Sequence, residues 1–361
     1  MQRLRRVLKG LILLLLFTTV AIVAAFGWGR HTTPPIEDSA GNPLPGSVAS
    51  LEPVVIGGTE QWVLLRGHDV ANPVILFLHG GPGMPAMYLA HDFQRGLERD
   101  FVIVHWDRRG AGKSYEAGAD STVLTMSRTL EETAELTEWL RNRFGKERIY
   151  LVGHSWGSKL GMLAVRERPD LYAAFVGTGQ MAADLDRVRE YRRSPLLEAA
   201  RSAGDQELVG RLESGEPSTE DDLLRHGVEL RGARSFWPIL WTGLRAPEYG
   251  LIDALNVGRG ASRVARLMKD DVLSGPLDRE VKAVSVPVFF LLGRHDLNTP
   301  SEQAADYLSE LDAPLKELVW FDESAHFPFW TESERFHREM RTIARVTSDY
   351  WSSQGPSDSD R

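Results

Sequence analysis

Short apolar runs, each followed by a small-residue turn and then a stretch of helical spacing, recur along most of this 361-residue chain. Gln61-Trp62-Val63-Leu64-Leu65, Val74 to Leu78 and Phe101 to Trp106 read as strands. Thr129 to Phe144 reads as a helix, with Thr129 and Glu132 spaced as a capping box, Leu136 and Leu140 on one face, and Gly145 as the stop. Arg148 to Val152 and Ala173 to Val176 are further strands, on either side of a helical run from Ser158 to Arg166. Between about Ala182 and Pro276 strand-like runs disappear and charged helical stretches take over, with Trp237 and Trp241 in their middle. The alternation returns with a buried strand at Val286 to Leu292, a helix opened by Thr299-Pro300-Ser301-Glu302 with Thr299 as cap, a last strand at Leu315 to Phe321 and a last helix at Thr331 to Tyr350. This order predicts an α/β fold with a mostly parallel sheet and an inserted helical cap. The expected divisions are 51–181 and 277–350 for the core and 182–276 for the cap.

The two ends break the pattern. Arg3, Arg5, Arg6 and Lys9 precede an uncharged run from Leu11 to Trp28 that reaches the lower length limit of a spanning helix. Residues 1–30 are therefore expected to be a membrane anchor whose basic start stays in the cytoplasm, leaving the body outside it. The alternative is a signal peptide cleaved after Val23-Ala24-Ala25, giving a secreted or periplasmic protein. Residues 31–50, rich in Pro, Gly and Ser, read as a linker, and 351–361 as a disordered polar tail.

Charge and composition narrow the class. The net charge of −8 and pI near 5.7 argue against nucleic-acid binding. With no cysteine, disulfides, thiolate zinc sites and cysteine nucleophiles are excluded. No cofactor or metal is expected, and nothing in the sequence sets the oligomeric state.

The chemistry sits at the ends of the predicted strands. Gly153-His154-Ser155-Trp156-Gly157 lies between a strand and a helix, where a G-x-S-x-G turn lifts a serine hydroxyl out of a sheet. A serine nucleophile needs a base, and with such an elbow the acid and then the histidine follow on later strand ends. Asp296 follows one late strand and His326 the last. His326 is expected to take the Ser155 proton, and Asp296 to hold the imidazole. His295 is a rival base but precedes the last strand, and Asp322 and Glu323 share the loop of the histidine. The N–H of Trp156, and a donor from the loop His79-Gly80-Gly81-Pro82-Gly83, are the expected oxyanion hole. Asp107 to Ser114 ends like a phosphate-binding loop, but Asp107 stands where that loop requires glycine.

These motifs together resemble the proline iminopeptidase family of α/β-hydrolases. His79 to Gly83, Asp107-Arg108-Arg109-Gly110-Ala111-Gly112-Lys113-Ser114 and Ser155 to Ser158 carry the likeness, over about Leu51 to Arg345. The resemblance implies release of an N-terminal residue from a small or short-peptide substrate under a helical cap, with Gly81 and Trp156 as oxyanion donors. His154 departs from the glycine usual in those peptidases. Thr242, after Trp237 to Trp241, stands where a substrate-binding glutamate is usual, which leaves Glu190, Glu198 and Glu229 as other cap acids. Trp237 and Trp241 are expected to line the pocket or the core of the cap. The expected activity is that of a serine hydrolase on a small ester or amide, with an iminopeptidase or an inactive membrane-anchored binding protein as alternatives. Ser155 excludes the usual aspartate-nucleophile epoxide hydrolases and dehalogenases.

Overall fold

The computed structural model describes residues 9–20, 32–233, 235–273 and 275–355. Eight strands form one sheet: β1 (Val48–Ile56), β2 (Thr59–Gly67), β3 (Val74–Leu78), β4 (Val102–Asp107), β5 (Ile149–His154), β6 (Tyr172–Thr178), β7 (Val288–Gly293) and β8 (Lys316–Phe321). Their spatial order is β1-β2-β4-β3-β5-β6-β7-β8. β1, β2 and β4 pair antiparallel, and every other neighbour pair is parallel. The strands β3 to β7 are buried along their whole length, which is why they read as unbroken apolar runs rather than alternating ones. Because β3 crosses to lie between β4 and β5, the strand order reverses there, and the carboxyl ends of β3 and β5 open a crevice of the kind that holds ligands in open α/β sheets.

Helices cover both faces. α1 (Met126–Phe144) buries Leu130, Leu136 and Leu140, at about 2 kcal/mol per side chain. It begins three residues before the expected start. Its cap is Thr125, which accepts from the Arg128 N–H, while Thr129 bonds back to the Thr125 carbonyl. Glu132, expected to close a capping box, is drawn instead into the core by Arg109 and Gln61. α2 (Trp156–Glu167) follows the Ser155 turn directly.

Between β6 and β7 the described chain is helical: α3 (Leu185–Ala203), α4 (Gln206–Glu213), α5 (Glu220–Arg225), α6 (Trp237–Arg245) and α7 (Leu251–Leu267), with a short turn of helix at Lys269–Leu273. α8 (Ser301–Glu310) has Pro300 at its N-cap position, so Thr299 is not its cap. α9 (Ser333–Ser353) extends into residues expected as tail; 356–361 lie outside the described residues.

The segment before β1 is tied to the body. Ile36 is buried, Thr33 bonds to Glu248 (2.5 Å), and Arg66 bonds to the Pro34 carbonyl (2.6 Å). Residues 9–20 are helical, and Leu11 to Phe17 are exposed. Among the described residues no helix is long and apolar enough to cross a membrane. The rest of the apolar run, residues 21–28, lies outside them, as does the proposed cleavage point.

Candidate active site

Ser155 has φ 55° and ψ −125°, and it is the one described non-glycine residue in the left-handed half of the backbone map. The neighbours make that strained turn possible. A Cβ on Gly157 would stand 2.2 Å from the Leu78 carbonyl oxygen, so only glycine lets the helix start against β3. A Cβ on Gly80 would come within 2.8 Å of the Ser155 Cβ, so the loop after β3 lies directly against the serine. Trp156 is the first residue of α2, and a helix offers no internal partner for its first N–H groups.

Arg108 holds this arrangement from below. Its Nη2 donates to the carbonyls of His79 and Pro82, both at 2.7 Å, and its guanidinium stacks on the Trp156 ring at 4.9 Å. Asp107 accepts from the Lys113 N–H (2.8 Å) and from the Tyr249 hydroxyl, and the Lys113 ammonium pairs with Asp253 (2.9 Å). The phosphate-loop look-alike is thus a brace between the Gly80–Gly81 loop and the helical segment above it. Its cation faces a carboxylate.

Asp296 and His326 meet at the carboxyl ends of β7 and β8. His326 Nδ1 lies 2.8 Å from Asp296 Oδ2, and both residues are almost fully buried. Asp296 is saturated: Oδ1 accepts from the N–H of Asn298 (2.8 Å) and Thr299 (3.0 Å), and Oδ2 accepts from the Thr299 hydroxyl (2.9 Å). The Thr299 hydroxyl is also 3.2 Å from His326 Nδ1. His154 Nε2 donates to the His326 carbonyl (2.9 Å), and the two rings lie 4.7 Å apart. Burial, and then His326, keep His154 well below the ordinary histidine pKa, so it stays a neutral donor. His295 turns away, with Nε2 against the Asp322 carbonyl (3.1 Å), and is not part of the cavity wall.

Ser155, Trp156, Gly81 and His326 share a cavity of about 920 Å³ roofed by α3, α6 and α7. Its wall is mostly apolar, with Met84, Leu89, Val188, Ile239 and Leu251 among its residues. Glu229 is the acid in that wall that the sequence left unplaced, while Glu190 and Glu198 are exposed. Its Oε1 accepts from Asn298 (3.1 Å), and its buried Oε2 meets no donor among the described residues. Burial pushes the Glu229 pKa up to about 7, against the pull of His326. Burial alone would lower the His326 pKa, but the charges of Asp296 and Glu229 outweigh it and hold the imidazole up at about 9. Thr242 faces a different cavity and does not reach Ser155.

The two tryptophans differ. Trp237 lines the cavity yet is 61% exposed, and Trp241 stacks on it, 6.3 Å between centroids, outside the cavity wall. Neither is core. Thr299 and Asn298 were not expected in the site, and Glu229 was one of three cap acids without a place. Thr299 carried a readable signal, a hydroxyl three residues after the acid, but it read equally well as a helix cap.

The fold and the turn at Ser155 define an α/β-hydrolase. Residues 73–333 match the family model for the alpha/beta hydrolase fold, and the chain belongs to that family. Within it the chain is proline iminopeptidase-like. It is 32% identical over 310 residues to the probable aminopeptidase YbaC of Bacillus subtilis, covering 83% of this chain and 97% of that one. It is 25% identical over 291 residues to the proline iminopeptidase of Heyndrickxia coagulans, covering 78% and 93%. The solved proline iminopeptidase of Mycobacterium smegmatis shares the fold, with a TM-score of 0.62 at 19% identity over 83% of this chain and all of that one. The protein is a hydrolase with aminopeptidase relatives.

Proposed function

We propose that this hydrolase cleaves a small amide or ester through an acyl-enzyme on Ser155. The observation that carries the reading is the 2.8 Å bond between His326 Nδ1 and a saturated Asp296, with Ser155 on a strained elbow in the same cavity. In this reading Asp296 fixes the tautomer that leaves Nε2 to accept the Ser155 proton. The hydroxyl oxygen adds to the substrate carbonyl. The oxyanion that forms is held by the N–H groups of Trp156 and Gly81. The histidine then protonates the leaving amine or alkoxide, and water releases the acyl group by the reverse path. Thr299 and His154 keep the acid and the imidazole in place. A serine-directed phosphonate should label the wild type at Ser155 alone; labelling elsewhere, with turnover intact, would sink this reading.

A second, narrower reading is favoured by Glu229. A buried carboxylate with one open oxygen, in a mostly apolar cavity that Arg192 and Glu220 also line, suits a substrate ammonium, because a buried ammonium needs a paired charge. It would replace the cap acid missing at Thr242 and make the protein an aminopeptidase, as its relative in Bacillus subtilis is named. The test compares a prolyl arylamide, its N-acetyl form and a simple acyl ester of the same leaving group. Preference for the free amine supports the peptidase, and equal or better turnover of the ester supports the general hydrolase.

We also propose that residues 1–30 hold the body to a membrane. Four basic residues before an apolar run support it, as do the exposed apolar side chains of residues 9–20. Recovery of a chain beginning near Phe26 would favour cleavage, and a soluble cytoplasmic product would refute both.

A further inference from the structure

The geometry points to an anionic lipid bilayer as the partner of the outer face of α6, an inference that rests on the membrane reading of residues 1–30. Phe236, Trp237, Leu240, Leu244 and Leu255 each line the Ser155 cavity, and each is between 36% and 61% exposed. They therefore rim its mouth. Trp241, 49% exposed, extends the rim outward. A contiguous apolar patch of this kind marks a binding surface.

Three observations choose the occupant. The first is where the N-terminal segment enters the body. Pro34, Pro35 and Ile36 line a second cavity of about 660 Å³, whose opposite wall is Thr242, Arg245, Ala246 and Pro247 at the end of α6. From Trp28 to Pro34 the chain spans at most about 20 Å even when fully extended. An anchor in the apolar run thus has no more than that reach from this end of α6.

The second observation is charge. In a protein of net charge −8, exposed Arg95, Arg99 and Arg245 gather in the wall of that second cavity. Of the acids there, Glu98 is held by Arg66, while Asp92, which accepts the Trp330 indole N–H (2.5 Å), and Glu37 are exposed. The third is the stacked tryptophan pair, since tryptophan favours the depth of lipid headgroups. Apolar side chains beside arginines fit a surface of anionic lipid, to which each basic group adds attraction. The Ser155 cavity then opens towards lipid, and an amphipathic ester or amide reaches it tail first.

The absence of cysteine makes the test direct. The full chain carrying Trp241→Cys, or Glu310→Cys as control, is labelled with an environment-sensitive fluorophore and reconstituted into phosphatidylcholine vesicles with and without phosphatidylglycerol. Glu310 lies at the opposite edge of the sheet, just ahead of β8. A label at position 241 should be quenched severalfold more by nitroxide lipids than one at 310, and severalfold less by iodide. Arg95→Gln with Arg245→Gln should remove the added quenching that phosphatidylglycerol brings. If the protein floats with vesicles but both labels meet iodide alike, the anchor stands and this face does not touch lipid. Protection that follows the protein-to-lipid ratio would assign the face to a second copy and overturn the proposal. If the protein does not float, the anchor reading fails, and this inference with it.

Discussion

The cavity has a floor and a roof built on opposite terms. The floor, at the carboxyl ends of β5, β7 and β8, holds its acid on every side; Asp296 accepts from two backbone N–H groups, a hydroxyl and an imidazole. The roof is apolar helix, and its buried carboxylate, Glu229, has one oxygen bonded and one open. Both acids flank the same histidine. A saturated acid is fixed and orients its neighbour. An open one is costly unless something arrives to meet it. In the function proposed above, the difference separates the part of the site that performs chemistry from the part that chooses the substrate.

Four changes test that division. Ser155→Ala should lower kcat by at least about a thousandfold and abolish phosphonate labelling, with the circular dichroism spectrum unchanged. Asp296→Asn keeps the shape of the floor but misdirects the imidazole. A loss of about ten-thousandfold in kcat is expected, read in single-turnover assays. A small loss would make the floor no more committed than the roof.

Glu229→Gln should act on the roof's terms. If the free-amine reading holds, it raises KM for a prolyl arylamide by about 30-fold, roughly 2 kcal/mol, and leaves an acyl ester almost untouched. It should also move the pH profile. His326 must be neutral to accept a proton, so activity rises as pH climbs through its raised pKa of about 9. Removing the Glu229 charge takes away one cause of that rise, so the acid limb of kcat/KM should slide to lower pH. A limb that stays put would mean Glu229 does not sense the histidine. The smallest effect is expected from Thr299→Val, which removes a hydroxyl from Asp296 without changing its volume much. About a tenfold fall in kcat with unchanged KM is expected, by analogy with the partners that orient metal ligands. Loss of KM alone would move Thr299 out of the relay.

What the sequence discloses follows the same line. The floor was legible because it is local: Gly153 to Gly157 announces its own turn, and Asp296 and His326 follow apolar strands directly. Thr299 was misread because a Thr-Pro-Ser-Glu run is also a good helix start, and only the fold brings its hydroxyl to Asp296 and His326. At α1 the Thr129–Glu132 spacing was misleading, since Glu132 answers Arg109 from another loop. The roof was hardly legible. Nothing within reach of Glu229 in sequence says that it meets Asn298, 69 residues on. The tryptophans, read as core or pocket, sit at the rim because α6 meets the body on one narrow side.

The roof is also fastened unevenly. The Val228 carbonyl accepts from the Leu297 N–H (3.2 Å), and the Glu229 carbonyl accepts from the His326 N–H (3.0 Å). At the far side α6 rests on side chains, with Tyr88 lying against Gly243, and among the described residues no backbone hydrogen bond joins it to the sheet edge. Amide exchange should thus be slow at Leu297 and His326 and faster along α6. If exchange follows that order, traffic passes on the tryptophan side, as through a hatch riveted along its rear edge, while the acid and base stay clamped.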